Sequence, residues 1–315
     1  MLREGTLVGR YRVEALLGRG GMGTVFRARH EESGRVVALK LLGDDMAADT
    51  DRGARLLREG RAQASLEHPH VVTVYDAGES EQGLYLAMRL IDGPRLADLI
   101  AERRLDMRRA LALLEQVADA LDAAHAAGLV HRDVKPLNVL VGAGDHAYLA
   151  DFGLTRADGA TAATAAGTLA GTVAYLAPEV VRGEEASPAS DRYAFAAMAF
   201  ECLTGSVVFP RTSEAGVLFA QAHDPPPRIG ARRPELGDGL DELFEHALSK
   251  QPSERPASAR GLVAALRRAL ERSGTIELPA PSPIGAAALA PGTVAHGTVD
   301  RARDDGGGGR RRGRA

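Results

Sequence analysis

The dominant spacing of apolar residues shifts from strand-like to helix-like near residue 90, and that change restricts the fold more than any short motif. Before it, apolar and polar residues alternate: Val13, Ala15 and Leu17 in YRVEALLG, followed by TVFRARH and RVVALKLL, with GRGGMG and EESGR between them. Alternation is the pattern of strands with one buried face, and glycine-rich breaks mark the turns that join them. An antiparallel meander of at least three strands is therefore predicted. A helix follows over about 50–67, with Leu56, Leu57, Ala64 and Leu66 as its apolar stripe. It ends at HPH, because Pro69 lacks an amide proton and restricts the residue before it. VVTVYDAG and LYLAMRL read as two more strands. From Asp92 the pattern becomes helical: Leu111, Leu114, Val117, Leu121 and Ala124 recur at three- and four-residue steps, and Gly128 is placed to cap that helix. Further helices are predicted at about 189–204, 238–249 and 256–272. Strands early and helices late is the α+β order.

The chain has 315 residues, 45% apolar and 26% charged, enough for one large domain or two modest ones. A formal net charge of -3 gives no whole-protein attraction to nucleic acid or to an acidic membrane. Cys202 is the sole cysteine, which excludes an internal disulfide and a multi-cysteine zinc site and suits a reducing cytoplasm. The opening MLREGTLVGRYRVEALLG alternates too quickly for a signal peptide. The best membrane candidate, YAFAAMAFECLTGSVVF at 193–209, is interrupted by Glu201 and Gly205. It falls short of the roughly 18 apolar residues a span needs, so a buried core helix is expected and no membrane span. From 273 to 315 the chain is rich in Pro, Ala and Gly and ends DDGGGGRRRGRA, which predicts a disordered tail with a solvated basic end.

The chemistry-bearing residues lie in and around HRDVKPLN, His131 to Asn138, an octet of polar groups between the apolar stretches AAGLV and VLVG. A solvated turn is one reading; a reactive loop mounted on apolar flanks is the other. Asp133 and Asn138 share this loop, and Asp151 opens DFG after the apolar HAYLA. A carboxylate and a carboxamide are hard oxygen ligands of the kind magnesium takes. Upstream, Gly18, Gly20 and Gly23 form G-x-G-x-x-G with Val25 two places on. A strand rather than a helix follows, which suits a flap over a nucleotide and not a Rossmann site; a tight hairpin explains the glycines alone equally well. Lys40 ends the apolar strand VVALK, and Glu59 on the next helix is placed to pair with it. Taken singly, a lysine at a strand end needs no functional explanation.

Together GRGGMGTV, VALK, HRDVKPLN, DFG and APE occur in the order and context of the protein-kinase signature set. With EHPHVV, GTVAYLAPE and SERPAS, the chain over about residues 8–272 looks most like bacterial serine/threonine kinases of the eukaryotic type. The resemblance implies a bilobal protein-kinase fold: a small antiparallel-sheet lobe with one main helix over about 8–90, and a larger mainly helical lobe over about 91–272. It implies transfer of the γ-phosphate of ATP to serine or threonine of protein substrates, with Mg2+ (or Mn2+ in its place). The stretch Leu17, Gly18, Arg19, Gly20, Gly21, Met22 and Gly23 would cover the phosphates. Val25 and Ala38 would sandwich adenine, with Met88 at the rear of its pocket. Lys40 would hold the α- and β-phosphates and pair with Glu59. Asp133 would take the substrate hydroxyl proton, Lys135 would sit by the γ-phosphate, and Asn138 and Asp151 would hold the metal.

Supporting roles are implied too. Thr172 would border the substrate and Asp133, Glu179 and Arg255 would brace the substrate lobe, and Asp191 would hold the catalytic loop. His131 resembles a residue that packs beneath that loop. Thr161, Thr164 and Thr168 are phosphorylation candidates in the 151–179 loop, where a phosphate would pair with Arg132 and self-association would allow autophosphorylation. Arg89 departs from the acidic residue common at its position, and Gly60 should weaken its helix by up to about 1 kcal/mol. Two other classes stand beside the enzyme: an ATP-binding pseudokinase scaffold, against which intact Lys40, Asp133, Asn138 and Asp151 argue, and a membrane receptor kinase, disfavoured because no spanning segment follows residue 272.

Overall fold

The alternating segments pair as strands. A computed structural model of the chain describes residues 2–20, 23–42, 60, 63–152, 173–236 and 238–275. Its main sheet has strands β1 (Leu7–Val8), β2 (Tyr11–Gly20), β3 (Gly23–His30), β4 (Val36–Leu41), β5 (Val74–Ser80) and β6 (Gly83–Arg89). They run antiparallel in the order β1-β2-β3-β4-β6-β5. Period two divides β4 cleanly. Val37 and Leu39 join Val13, Phe26, Ala28 and Ala87 in the sheet's apolar core, while Ala38 and Lys40 line a cleft on the other side.

Strand β5 starts at Val74, three residues later than VVTVYDAG suggested. The missing residues have another use for their backbone. Val71 bridges Leu149 in parallel, Val72 N–H donates to the Leu149 carbonyl at 2.9 Å, and Leu149 N–H donates to the His70 carbonyl at 2.8 Å. The segment therefore stitches the sheet half of the chain to the helical half. Of the helix predicted at 50–67, Gly60, Gln63 and Ala64 are helical; Leu56 and Leu57 lie outside the described residues. A Cβ on Gly60 would stand 3.0 Å from Leu86 Cδ2 and 3.4 Å from Ala77 Cβ. The helix-weakening glycine thus lets this segment approach the sheet closely.

The second half contains α1 (Leu96–Ala101), α2 (Met107–Ala126), the ribbon β7 (Val139–Gly142) and β8 (His146–Leu149), then α3 (Pro178–Val181), α4 (Pro188–Thr204), α5 (Glu214–His223), α6 (Asp238–Ala247) and α7 (Ala259–Arg272). Helix α2 buries the whole expected stripe and also Ala110, Leu113, Ala118 and Ala120, so it is surrounded on most of its circumference. Asp106 caps its start, accepting from Arg109 N–H at 2.8 Å, and Gly128 follows its end at φ +76°. Helix α4 takes up most of the apolar segment 193–209 and stops at Gly205, left-handed at φ +74°. Tyr193, Phe195 and Phe200 are fully buried on it, each stabilising the core by about 1.5–3 kcal/mol. Among the described residues no helix is long and apolar enough to cross a membrane. Cys202, also on α4, is buried, and burial pushes its thiol far above the usual range, which leaves it inert.

Three helices escaped the periodicity reading. Helices α1 and α3 are too short to display a period. Helix α5 inverts it: Gln221 is fully buried while Phe219 is 61% exposed.

Glu179 of APE and Arg255 of ERP meet as a two-pronged pair, Nη1 and Nη2 each 2.7 Å from a carboxylate oxygen. Ser190 Oγ adds a bond to Glu179 at 2.7 Å, and Arg255 also donates to the carbonyls of Ala189 and Ser249, both at 2.9 Å. Burial resists ionisation of Glu179, but the guanidinium and the serine outweigh it and hold the carboxyl below its ordinary 4.5. A depressed carboxyl contributes stability above the unfolded value, and that contribution is lost as pH falls through the folded one. Arg255→Met would strand a buried carboxylate and cost about 3–5 kcal/mol near neutral pH. Urea unfolding should find that deficit near neutrality and a smaller one well below pH 4.5, where Glu179 of the variant is protonated.

Candidate active site

The β7–β8 ribbon does the first positioning. Val139 faces Leu149 in its register, so Asn138 and Ala150 flank its open end, and Ala150 N–H donates to the Asn138 carbonyl at 2.8 Å. Asn138 and Asp151 are thereby brought together although they lie in separate motifs. The apolar flanks VLVG and HAYLA are the two strands of that ribbon. Val139 and Val141 point into the core of the helical half, and Leu140, between them, lines the cleft.

The octet ahead of the ribbon is held by a single buried carboxylate. Asp191 on α4 accepts from His131 N–H at 2.7 Å, Arg132 N–H at 2.8 Å and His125 Nε2 at 2.9 Å. Arg132 sits at φ +66°, a conformation that costs a non-glycine residue about 1–3 kcal/mol and persists only where its surroundings fix it. The Asp191 bonds supply that fixing. His131 packs beneath, fully buried, its ring 4.5 Å from that of Phe152. Its Nε2 lies 3.0 Å from the Ala150 carbonyl and its Nδ1 3.2 Å from Asp133 N–H. That pattern needs the neutral ring protonated at Nε2, and burial lowers the histidine pKa accordingly.

Asp133, Lys135 and Asn138 converge above this floor, all at least nine-tenths buried. Lys135 Nζ is 2.7 Å from Asp133 Oδ2. Asn138 Nδ2 donates to the same oxygen at 2.8 Å and to the Asp133 backbone carbonyl at 2.7 Å. The amide hydrogens are thus committed, and the carbonyl oxygen of Asn138 is its remaining ligand atom. Across the cleft, Lys40 Nζ from β4 pairs with Asp151 Oδ1 at 2.6 Å. Burial opposes charge on Asp151, but the Lys40 ammonium prevails and holds its carboxyl below the ordinary range. Asp151 is also left-handed, φ +54°.

The cleft between sheet and helices encloses about 640 Å³. Leu17, Gly18, Arg19, Gly20, Gly23, Val25, Ala38, Lys40 and Met88 line its sheet side; Asp133, Lys135, Asn138 and Asp151 line the other. Gly21, Met22, Glu59, Thr161, Thr164, Thr168 and Thr172 lie outside the described residues. Leu140, Ala150, Ile91 and Leu137 also line the cleft, as does the 90–98 stretch with Asp92, Arg95 and Asp98, and none of these was picked out from the sequence as a site residue. The period-two alternation of VLVG was the available signal for Leu140. Arg89 lines the mouth with its guanidinium 5.2 Å from the Tyr148 ring centroid. A larger cavity of about 720 Å³ lies beside α6 and the 248–255 turn, remote from this constellation.

The glycines separate into two kinds. A Cβ on Gly23 would lie 2.1 Å from the Leu41 carbonyl oxygen, at φ +136°, so the fold itself demands glycine there. Around Gly18 and Gly20 a Cβ would meet nothing within 4 Å, and neither has positive φ. Packing does not explain these two; room for a ligand against the backbone does. For a divalent ion the donors are one carboxylate and one carboxamide, too few for a protein cage. They match magnesium, which keeps waters and completes its shell from substrate phosphates.

A sequence model of the protein kinase domain matches residues 11–265. The serine/threonine-protein kinase PknE of Mycobacterium bovis is 40% identical over 293 residues, covering 89% of this chain and 52% of that protein. PknD of Mycobacterium tuberculosis is 41% identical over 271 residues, 85% of this chain and 41% of that protein. The chain therefore spans about half the length, or less, of these relatives. Among solved structures, the PknI kinase domain of M. tuberculosis superposes with a TM-score of 0.71 at 33% identity, covering 86% of this chain and all of that one.

The two kinds of glycine should part on substitution. Gly23→Ala should lower the thermal midpoint by several degrees, reflecting about 2 kcal/mol or more of strain. Gly20→Ala should leave the midpoint within about a degree and weaken ATP binding severalfold in titration calorimetry.

Proposed function

The chain belongs to the protein kinase family, and on that premise we propose that it transfers the γ-phosphate of ATP to serine or threonine hydroxyls of proteins. The observation that carries the reading is the convergence of Lys40, Asp133, Lys135, Asn138 and Asp151 on one cleft whose glycine flap has room for a triphosphate. Phosphoryl transfer asks for alignment and charge neutralisation more than for covalent chemistry. In the proposed scheme Lys40 holds the α- and β-phosphates and is oriented by Glu59. Val25 and Ala38 enclose adenine, with Met88 behind it. Asp133 orients the substrate hydroxyl and accepts its proton as oxygen bonds to the γ-phosphorus and the bond to the β-phosphate oxygen breaks. Lys135 sits beside Asp133 to offset negative charge gathering on the transferred group. Asn138 and Asp151 would hold Mg2+, or Mn2+, which supplies positive charge against the phosphates.

Thr172 completes the substrate side, and Asp191, Glu179 and Arg255 support it. Thr161, Thr164 and Thr168 are the proposed autophosphorylation positions, reached by transient self-association, with Arg132 as the phosphate's partner. We place this activity in the cytoplasm, on protein substrates.

Two substitutions test the reading with labelled ATP, magnesium and a generic serine/threonine protein substrate. Asp133→Asn should keep ATP binding and the thermal midpoint and lose about a hundred- to ten-thousandfold in turnover. Lys40→Met should lose on the order of a hundredfold or more with the fold intact. ATP binding by the parent without labelled product, across metals and substrates, would replace the enzyme with a pseudokinase scaffold.

A further inference from the structure

The polar residue buried by the inverted pattern of α5 has a defined set of partners. Gln221 is fully buried, and a buried amide must be hydrogen-bonded or it costs stability. Its Nε2 donates to the Ala174 carbonyl and, at 3.5 Å, to that of Val173; its Oε1 accepts from Tyr193 O–H on α4. The backbone at the same position is fixed from the opposite side. Lys250 Nζ donates to the carbonyl of Gln221 at 2.8 Å and to that of Ala220 at 3.2 Å. These belong to the last turn of α5, where the helix's carbonyl end favours a cation; the Ala220 carbonyl also accepts from Asp224 N–H at 3.0 Å. The ammonium also lies 4.7 Å from the Phe209 ring centroid, and burial lowers its pKa to about 8.

Val173 and Ala174 belong to a short turn, Val173–Tyr175, that follows the segment leaving the cleft at Asp151. The same turn is held by apolar contact, because Val173 and Leu176 cluster with Val217 of α5. Tyr175 O–H donates to Glu201 at 2.5 Å, anchoring its far end on α4. Lys40 holds Asp151, and Gln221 takes the carbonyls of Val173 and Ala174.

We infer that Gln221 is a positioning residue for the protein substrate: its amide, backed by Lys250, sets where the Val173–Tyr175 turn lies and thereby how the hydroxyl-bearing chain is presented to Asp133. The inference rests on the kinase reading. Among the described residues none of Gln221's hydrogen-bond partners lines the cleft, so its loss acts through the turn and leaves the nucleotide side alone. A methionine of similar length would fill the space while offering no donor, depriving the Ala174 carbonyl of its amide partner; the Val173 carbonyl keeps Leu176 N–H at 3.4 Å.

Steady-state kinetics with ATP and a serine/threonine protein phosphorylated by the parent provides the test. Gln221→Met should raise the KM for the protein substrate about tenfold, with the KM for ATP close to the parent's and the thermal midpoint lowered by a few degrees, as the loss of a buried hydrogen bond requires. Gln221→Glu, which keeps an acceptor for Tyr193 but faces the carbonyls with a carboxylate, should raise it at least as much. Tyr193→Phe, which removes one bond orienting the amide but keeps the donor to the turn, should raise it less than Gln221→Met. An unaltered protein-substrate KM in Gln221→Met, or an equal rise in both KM values, overturns the inference while the kinase reading stands. A parent that transfers no phosphate takes both down. If Gln221→Met fails to fold, Lys250→Met serves instead: it releases the end of α5, and a protein-substrate KM equal to the parent's would be equally fatal.

Discussion

A single buried carboxylate sets the geometry of the reactive loop. Asp191 is 2% exposed and would be an expensive charge to bury were its oxygens not occupied by donors from His125, His131 and Arg132. Two of those donors are consecutive backbone amides, so the carboxylate fixes a turn and not merely a side chain. Arg132 can then remain left-handed, and the chain reverses in time for Asp133, Lys135 and Asn138 to share one small volume. Polar groups in such proximity work as a unit: Asp133 Oδ2 receives both Lys135 and Asn138, which leaves the asparagine carbonyl oriented by the bonds its amino group makes. His131 completes the mounting as a neutral ring whose two nitrogens tie Asp133 to Ala150, one acting as acceptor and one as donor.

The two halves of the chain meet at the cleft through contacts of different character. Lys40 and Asp151 form an ion pair across it, partly shielded from water and strong enough to overcome the effect of burial on the aspartate. Behind the cleft, His70 and Val72 bond by backbone to Leu149, the last residue of the ribbon before Ala150 and Asp151. The residue proposed to hold the metal is thus tied to the sheet half on one side by charge and on the other by backbone hydrogen bonds. Farther down, the Arg255–Glu179 pair and the Gln221 amide secure the region where the chain returns from the cleft. Each of these anchors is a polar contact inside an apolar surround, where geometry matters most because water offers no alternative partner.

Much of this was legible in the residues. Alternation in β2, β3 and β4 and the stripe of α2 are signals of one-sided burial, and burial is what the sheet and the central helix have. The motif residues were recognisable because phosphate and metal chemistry admits few side-chain types in few orders. Strand β5 began late because His70 and Val72 bond to a strand far along the chain, bridging Val71 to it, a competition that no local pattern expresses. Helix α5 was missed for a related reason. Its buried glutamine serves a turn from elsewhere in the chain, and Phe219 faces outward, so local hydrophobicity pointed the wrong way.

By itself the sequence determined the shift from strands to helices, the family resemblance and the identity of the groups available for chemistry, since each depends on residue type and local spacing. Tertiary structure decided which carboxylate pairs with which cation, that Gly23 is required by the fold while Gly18 and Gly20 are not, and that Gln221 reaches the turn after the cleft. Those outcomes depend on distances between segments far apart in the chain, and such distances are fixed only when the sheet, the ribbon and α4 have packed together.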